Sequence, residues 1–201
     1  GVDVLPPSVN RSDVTFSVED GAVVFGLAAI KGFGISSAQA IIDEREANGR
    51  YEGINDLCRR LVGSDLTKSQ LKTLVQAGAL DEFGERNALL FIHEQAHAAG
   101  QKYQEDQRIG QNSLFESADE DQIVKDDLPD VEPLDPDKKL ELEKEFLGLY
   151  VSDHPLMRVE ERLAECCSCR LEDIDNYPDD TQVRVGGVVG ETKPYNSQSG
   201  M

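Results

Sequence analysis

His93-Glu94-Gln95-Ala96-His97 sets two imidazoles one helical turn apart with a carboxylate between them. On a helix that spacing can grip Zn²⁺ through both rings and offer Glu94 as a base for hydrolysis. A third protein ligand is needed. Tyr103 stands where an extended form of the motif would carry a ligand, and the remaining histidine, His154, lies beyond a long acidic stretch. The plain alternative is a pair of solvated histidines on an Ala- and Gln-rich helix. A second group is Ile30-Lys31-Gly32-Phe33-Gly34-Ile35-Ser36-Ser37-Ala38. Two glycines permit a tight reversal, and the N-terminus of a following helix presents several N–H groups to one phosphate oxygen. Lys31, Gly32, Phe33, Gly34, Ser36 and Ser37 are therefore the candidate DNA-binding residues. Such a site reads no base and binds any sequence. Third, Cys166 and Cys169 have the spacing of a zinc half-site, with Cys167 between them and Cys58 far away. No second half-site follows, so free thiols are expected.

Gln111-Asn112-Ser113-Leu114-Phe115 carries recognition chemistry of another kind. Two adjacent large apolar side chains with no apolar periodicity after them have no helix or sheet of their own to cover. Leu114 and Phe115 are suited to fill a pocket on a partner. The Gln111 amide can fix register at the rim, with the small Ser113 between. The alternative is a loop that tucks its Leu-Phe back onto its own domain.

The elements that must position these groups are mostly helical. Val14–Val18 and Val23–Phe25 flank Asp20-Gly21 as a hairpin. Helices are expected at 38–47, with Ser36 and Ser37 as cap donors of oxygen, at 54–61, at 68–77 after Thr67, and from about 86 to 107. Arg59 and Arg60 are expected outward, and Ala99 on the buried face of the longest helix. Leu71–Leu90, around Gly78, reads as a second, degenerate glycine hairpin. Residues 116–137, with three prolines, read as an acidic linker. Further helices are expected at 138–146 and 159–165, with strand character from 183 to 189.

Formal net charge is −19 and the isoelectric point about 4.4. Taken whole, that disfavours contact with phosphates. The charge is uneven, however. Residues 116–145 hold 13 acids and 4 lysines, whereas residues 29–87 hold 9 acids and 8 bases. The segment with the glycine hairpins is close to neutral. No apolar run is long enough to span a bilayer, and the Gly-Val-Asp opening does not show the charged-then-apolar pattern expected of a signal peptide. The Gly-Val-Asp opening and the strand-like ending give the expectation of a piece of a longer protein.

Four blocks, in order, resemble the C-family replicative DNA polymerases, the bacterial DNA polymerase III alpha subunits. They are Leu5–Ser12, Phe25–Gly34, Leu74–Asp81 and Leu147–Leu156. Residues 111–115 resemble the pentapeptide with which bacterial replication proteins bind the sliding clamp, and they lie where this family carries its internal clamp-binding motif. The resemblance implies a mainly α fold. Residues 1–27 would end the fingers, 28–115 would form the tandem helix-hairpin-helix and clamp-binding domain, and 116–137 the linker. Residues 138–180 would be a helical connector, and 181–201 the truncated start of an OB domain. It implies a non-catalytic, DNA- and clamp-binding part of a cytoplasmic replicase. The palm carboxylates and their Mg²⁺ belong elsewhere in the parent, and no cofactor belongs here. The implied partners are the sliding clamp (beta subunit), double-stranded or primed DNA and other replicase subunits, with no membrane. The rivals are a zinc hydrolase using His93, Glu94 and His97, and a clamp-binding scaffold without DNA contact.

Overall fold

Asp20 and Gly21 both take positive φ (50° and 85°), as a two-residue hairpin turn requires. They join β2 (Ser17–Glu19) antiparallel to β3 (Ala22–Val24), with Glu19 opposite Ala22. The lead-in adds a third strand that periodicity could not reveal: β1 (Val4–Leu5) runs parallel to β3, giving the order β1-β3-β2. This computed structural model describes residues 3–63, 66–109, 126–153, 156–189 and 193. The chain forms two units that part between Ser152 and Asp153.

The first unit is mainly helical. After a 3-10 turn at Leu27–Ala29 come α1 (Ile35–Asn48), α2 (Ile54–Leu61), α3 (Lys68–Gln76), α4 (Arg86–Ile109) and α5 (Pro136–Phe146). Their apolar stripes meet in one core: Phe25, Leu27 and Ile30 from the entry, Ile41 from α1, Leu57 from α2, Leu71 and Leu74 from α3, and Leu89 from α4. Leu147, just past α5, joins the same core.

Polar groups lock the entry to this core. The Asn10 side chain donates to Tyr51 O (2.8 Å) and accepts from Tyr51 N–H (2.8 Å), pairing with it as a strand would. The Tyr51 hydroxyl donates to Ile41 O (2.8 Å), and burial holds that phenol above its ordinary pKa, so it keeps its proton. Arg60 lies over the Tyr51 ring at 4.3 Å and donates to Glu44 O (3.0 Å) and Gly49 O (2.9 Å). It also pairs with the Glu44 and Asp56 carboxylates. Arg60, expected to face solvent, faces inward because its guanidinium reaches the Glu44 carbonyl near the end of α1, the Gly49 carbonyl just past it and two carboxylates.

Two further expectations change. Ala99 is exposed, and Gly100 takes the inner position of α4. A Cβ at Gly100 would lie 2.6 Å from Cys58 O, so the glycine lets α2 and α4 approach closely. The described part of the expected linker does not stand free: Asp126 binds α2 and Leu128 packs against the core, while residues 116–125 lie outside the described residues. In the second unit a 3-10 turn (Met157–Val159), α6 (Glu160–Cys166) and a 3-10 turn at Leu171–Asn176 are followed by an extended stretch. No strand forms at 183–189, so an OB-type segment is not seen among the described residues. An isolated β segment lacks the partners that would satisfy its backbone.

Gly100→Ala tests the close approach. Helix propensity alone predicts a gain of about 1 kcal/mol. The clash with Cys58 instead predicts a loss of about 1–3 kcal/mol, measured by urea denaturation.

Candidate nucleic-acid interface

The N-terminus of a helix leaves its first N–H groups without intrahelical partners, and each must find an acceptor. In the first unit the chain itself supplies most of them. At α3, Thr67 and Gln70 form a reciprocal capping box. Asp135 accepts from Asp137 and Lys138 N–H at α5. Glu85 accepts from Asn87 and Ala88 N–H at α4. Asp126 reaches the start of α2 and accepts from Ile54 N–H (2.7 Å) and Asn55 N–H (3.0 Å).

The start of α1 is the exception among these five helices. Its N-cap is Gly34, and no side chain caps it. The first intrahelical bond is Ala38 N–H to Gly34 O (3.0 Å), which leaves the N–H groups of Ile35, Ser36 and Ser37 ahead of it. Gly32, Gly34, Ile35 and Ser36 are exposed here, as is Lys31, which has no acidic partner among the described residues. The hairpin is held from behind. Lys31 N–H donates to Phe146 O (2.9 Å), Phe33 N–H donates to Ile30 O (3.0 Å), and Gln70 donates to Ser37 Oγ (2.7 Å).

The candidate residues therefore divide. Lys31, Gly32, Gly34 and Ser36 face solvent together around open amides. Phe33 and Ser37 are buried and hold the turn in place. Neither serine caps α1, contrary to expectation; both lie inside its first turn, and the cap position falls on glycine. The turn after α3 does not repeat this arrangement. Gly78 N–H bonds Val75 O (3.0 Å) and Ala79 N–H bonds Leu74 O (2.9 Å), which closes the end of α3 in a Schellman motif. With Glu85 on the Asn87 and Ala88 N–H groups at the start of α4, that second hairpin offers an anion fewer open amides than the first.

The zinc arrangement does not assemble. His93 is buried with Nδ1 2.6 Å from Leu90 O, and His97 Nε2 lies 3.3 Å from Leu66 O. Each ring keeps a second nitrogen, so these bonds alone do not decide; a third ligand beside the two rings would be needed. Glu94 is exposed and pairs with Lys68 (3.5 Å). Among the described residues no cluster of three or more His, Cys, Asp or Glu has the placement to hold a metal ion. Gln111, Ser113, Leu114 and Phe115 lie outside the described residues.

Residues 1–90 match a family model described as a helix-hairpin-helix motif. Over its whole length the chain is 37% identical to the DNA polymerase III subunit alpha of Thermus aquaticus, of which it covers 16%. It is 38% identical, over 87% of its length, to that of Deinococcus radiodurans, covering 13% of that protein. The counterpart from Treponema pallidum is 32% identical across the whole chain and covered to 17%. The chain belongs to the DNA polymerase III alpha-subunit family. It spans about a sixth of the length of these relatives. The helix-hairpin-helix match contains the open start of α1. No helix among the described residues is long and apolar enough to cross a membrane.

Sequence reasoning missed the carboxylates that close the other helix starts. Glu85 stands directly before α4 and was open to recognition as a local cap. Asp126 acts from 72 positions away, and no local signal marks it.

The two glycines of the hairpin should respond differently. Gly32 has φ 81°, whereas Gly34 has φ −81° and only Ser36 Oγ, at 3.9 Å, near where a Cβ would go. Gly32→Ala is expected to cost about 1–2 kcal/mol in thermal or urea unfolding, while Gly34→Ala costs less, about 0.5 kcal/mol for the N-cap preference of glycine over alanine.

Proposed function

We propose that this chain is the part of a replicative DNA polymerase that holds duplex DNA without regard to sequence and ties the enzyme to its sliding clamp. Templated nucleotidyl transfer, with its Mg²⁺, is carried elsewhere in the longer protein. Other replicase subunits and a cytoplasmic setting belong to the same proposal. The observation that carries the DNA half is the open start of α1, the one of the five helix starts of the first unit with no side-chain acceptor among the described residues. Backbone N–H groups, the helix dipole and Lys31 converge there on a space that suits a phosphate oxygen. Primed or fully paired duplex supplies that oxygen whatever its sequence.

The clamp half rests on Gln111, Ser113, Leu114 and Phe115. Their described flanks support it. α4 ends at Ile109, and Asp126 is bonded to the start of α2, so the intervening stretch leaves from and returns to fixed points on the first unit. A recognition peptide carried between two such points can reach a partner while the helices stay on DNA.

Ser36→Glu places a carboxylate among the open amides, where it favours the helix and repels phosphate. Thermal stability is expected to hold or rise, while duplex affinity falls roughly tenfold, the loss of one hydrogen bond to a charged group. Lys31→Ala should lower the slope of log affinity against log salt by about 1. Unchanged affinity and slope in a gel-shift titration would leave the clamp-binding scaffold without DNA contact as the better reading.

For the clamp half, Leu114→Ala combined with Phe115→Ala should abolish capture by the sliding clamp in surface plasmon resonance. Duplex affinity should not move. A clamp that binds the double variant as well as the parent chain removes that half of the proposal.

A further inference from the structure

α1 and α2 begin alike, on a glycine followed by an isoleucine, Gly34-Ile35 and Gly53-Ile54. In both, the glycine is the N-cap and offers no side-chain oxygen. In both, the first intrahelical bond comes four residues past the glycine, Ala38 N–H to Gly34 O and Leu57 N–H to Gly53 O (3.0 Å each). What differs is the occupant. The start of α1 is open, whereas the two oxygens of the Asp126 carboxylate accept from Ile54 N–H (2.7 Å) and Asn55 N–H (3.0 Å). A Cβ at Gly53 would run into that carboxylate, so glycine lets the oxyanion come this close to the backbone. The start of α2 is thus a seat for an oxyanion, and it holds one.

The group that fills the seat arrives on a segment without regular structure. Residues 126–135 form neither helix nor strand, and each is half-buried or exposed. Beyond Asp126 the segment is held by Leu128 against the core, by the Asn87 side-chain amide donating to Glu132 O (2.7 Å), and by Leu134 N–H donating to the Glu85 carboxylate (3.0 Å). A segment with so few buried contacts opens at a small share of the global unfolding free energy. Asp127, Asp130 and Glu132 are exposed along it. While the segment lies in place, these charges repel any phosphate that approaches the start of α2.

We propose that residues 126–134 are an autoinhibitory strap: Asp126 occupies a second phosphate seat, at the start of α2, and duplex DNA displaces it. The inference rests on the DNA half of the proposed function. A carboxylate and a phosphate both present two oxygens to adjacent N–H groups, and the freed seat takes a backbone phosphate of any sequence. Lifting the strap as far as Asp135, which caps α5, also lengthens the stretch that carries Leu114 and Phe115.

The test uses the whole chain and primed duplex. Asp126→Asn keeps the shape and the capping ability of the side chain but loses its charge. Asp130→Asn makes the same change of charge at an exposed position of the strap and serves as the control. Duplex affinity is expected to rise roughly tenfold in Asp126→Asn over Asp130→Asn, the worth of one hydrogen bond to a charged group. The gain is expected with and without Ser36→Glu, so the contributions of the α1 start and of the strap are read separately. In the parent chain, the NMR signal of the Asp126 carboxyl carbon, identified by its absence from Asp126→Asn, should move toward that of free aspartate as duplex is added. An Asp126→Asn chain that binds duplex no better than Asp130→Asn, or an Asp126 signal that stays in place at saturating duplex, overturns the proposal.

Discussion

α1 is held by its tail. Arg60 donates to carbonyls at its C-terminal end, and Arg45 reaches from its last turns to Val9 O and Ser12 O (both 3.0 Å). Tyr51 adds its hydroxyl to Ile41 O. These bonds fasten the second half of the helix to the entry segment and to α2. The opposite end is steadied from the side, through Ser37 and Gln70, and from beneath, through Lys31 N–H on Phe146 O and the buried Phe33. A helix fixed in this way can keep its N-terminal amides in solvent without swinging. The rest of the first unit serves that arrangement: the Asn10–Tyr51 pair places the tyrosine, and the tyrosine ring places Arg60.

The contrast with the neighbouring helix starts has an electrostatic side. Glu85 and Asp126 are carboxylates placed where phosphate oxygens would otherwise sit, and each takes up two N–H groups. Glu143 does similar work away from any helix start: it is buried, and its Oε2 accepts from Val151 N–H (2.8 Å) and Ser152 N–H (3.0 Å). Glu143 thereby satisfies two backbone donors that burial would leave costly, while Glu85 is exposed and Asp126 partly buried.

Much of this was legible in the sequence, and what escaped follows a pattern. The Asp20-Gly21 turn, the extent of α4 and the buried faces of α2 and α3 follow from local periodicity and turn chemistry, which act over a few residues. The family could be read because four blocks kept their order. Misreadings came where a distant partner decided the outcome. Arg60 looks like a surface residue until the carbonyl end of α1 arrives beside it. Ser36 and Ser37 look like caps, yet Gly34 holds the N-cap position and Gln70 takes the Ser37 hydroxyl. Ala99 looks like an inward position of α4, yet it is exposed and the inner place falls to Gly100, with Cys58 O against it. Residues 126–135 look like linker by composition, but Asp126 and Leu128 each have a place on the first unit. The apolar alternation at 183–189 promised strands, and no partner strand lies among the described residues.

On the proposed reading, the scarcity of cations at the interface becomes a feature with a consequence. Salt-dependent affinity for duplex scales with the number of phosphates neutralised by lysine or arginine. The open start of α1 offers one lysine and a few amides, so its grip on DNA is weak and easily broken. A polymerase that must advance along its template gains from a contact of that kind, because a strong one would have to be broken at every step. Weak contact alone would let the enzyme leave. A second attachment through Leu114 and Phe115 to a ring already on the DNA converts rebinding into an event within one assembly, at an effective concentration set by the length of chain between the two sites. The two halves of the proposal then need each other: the hairpin can be weak because the peptide is there, and the peptide need only hold the enzyme near DNA that the hairpin does not read.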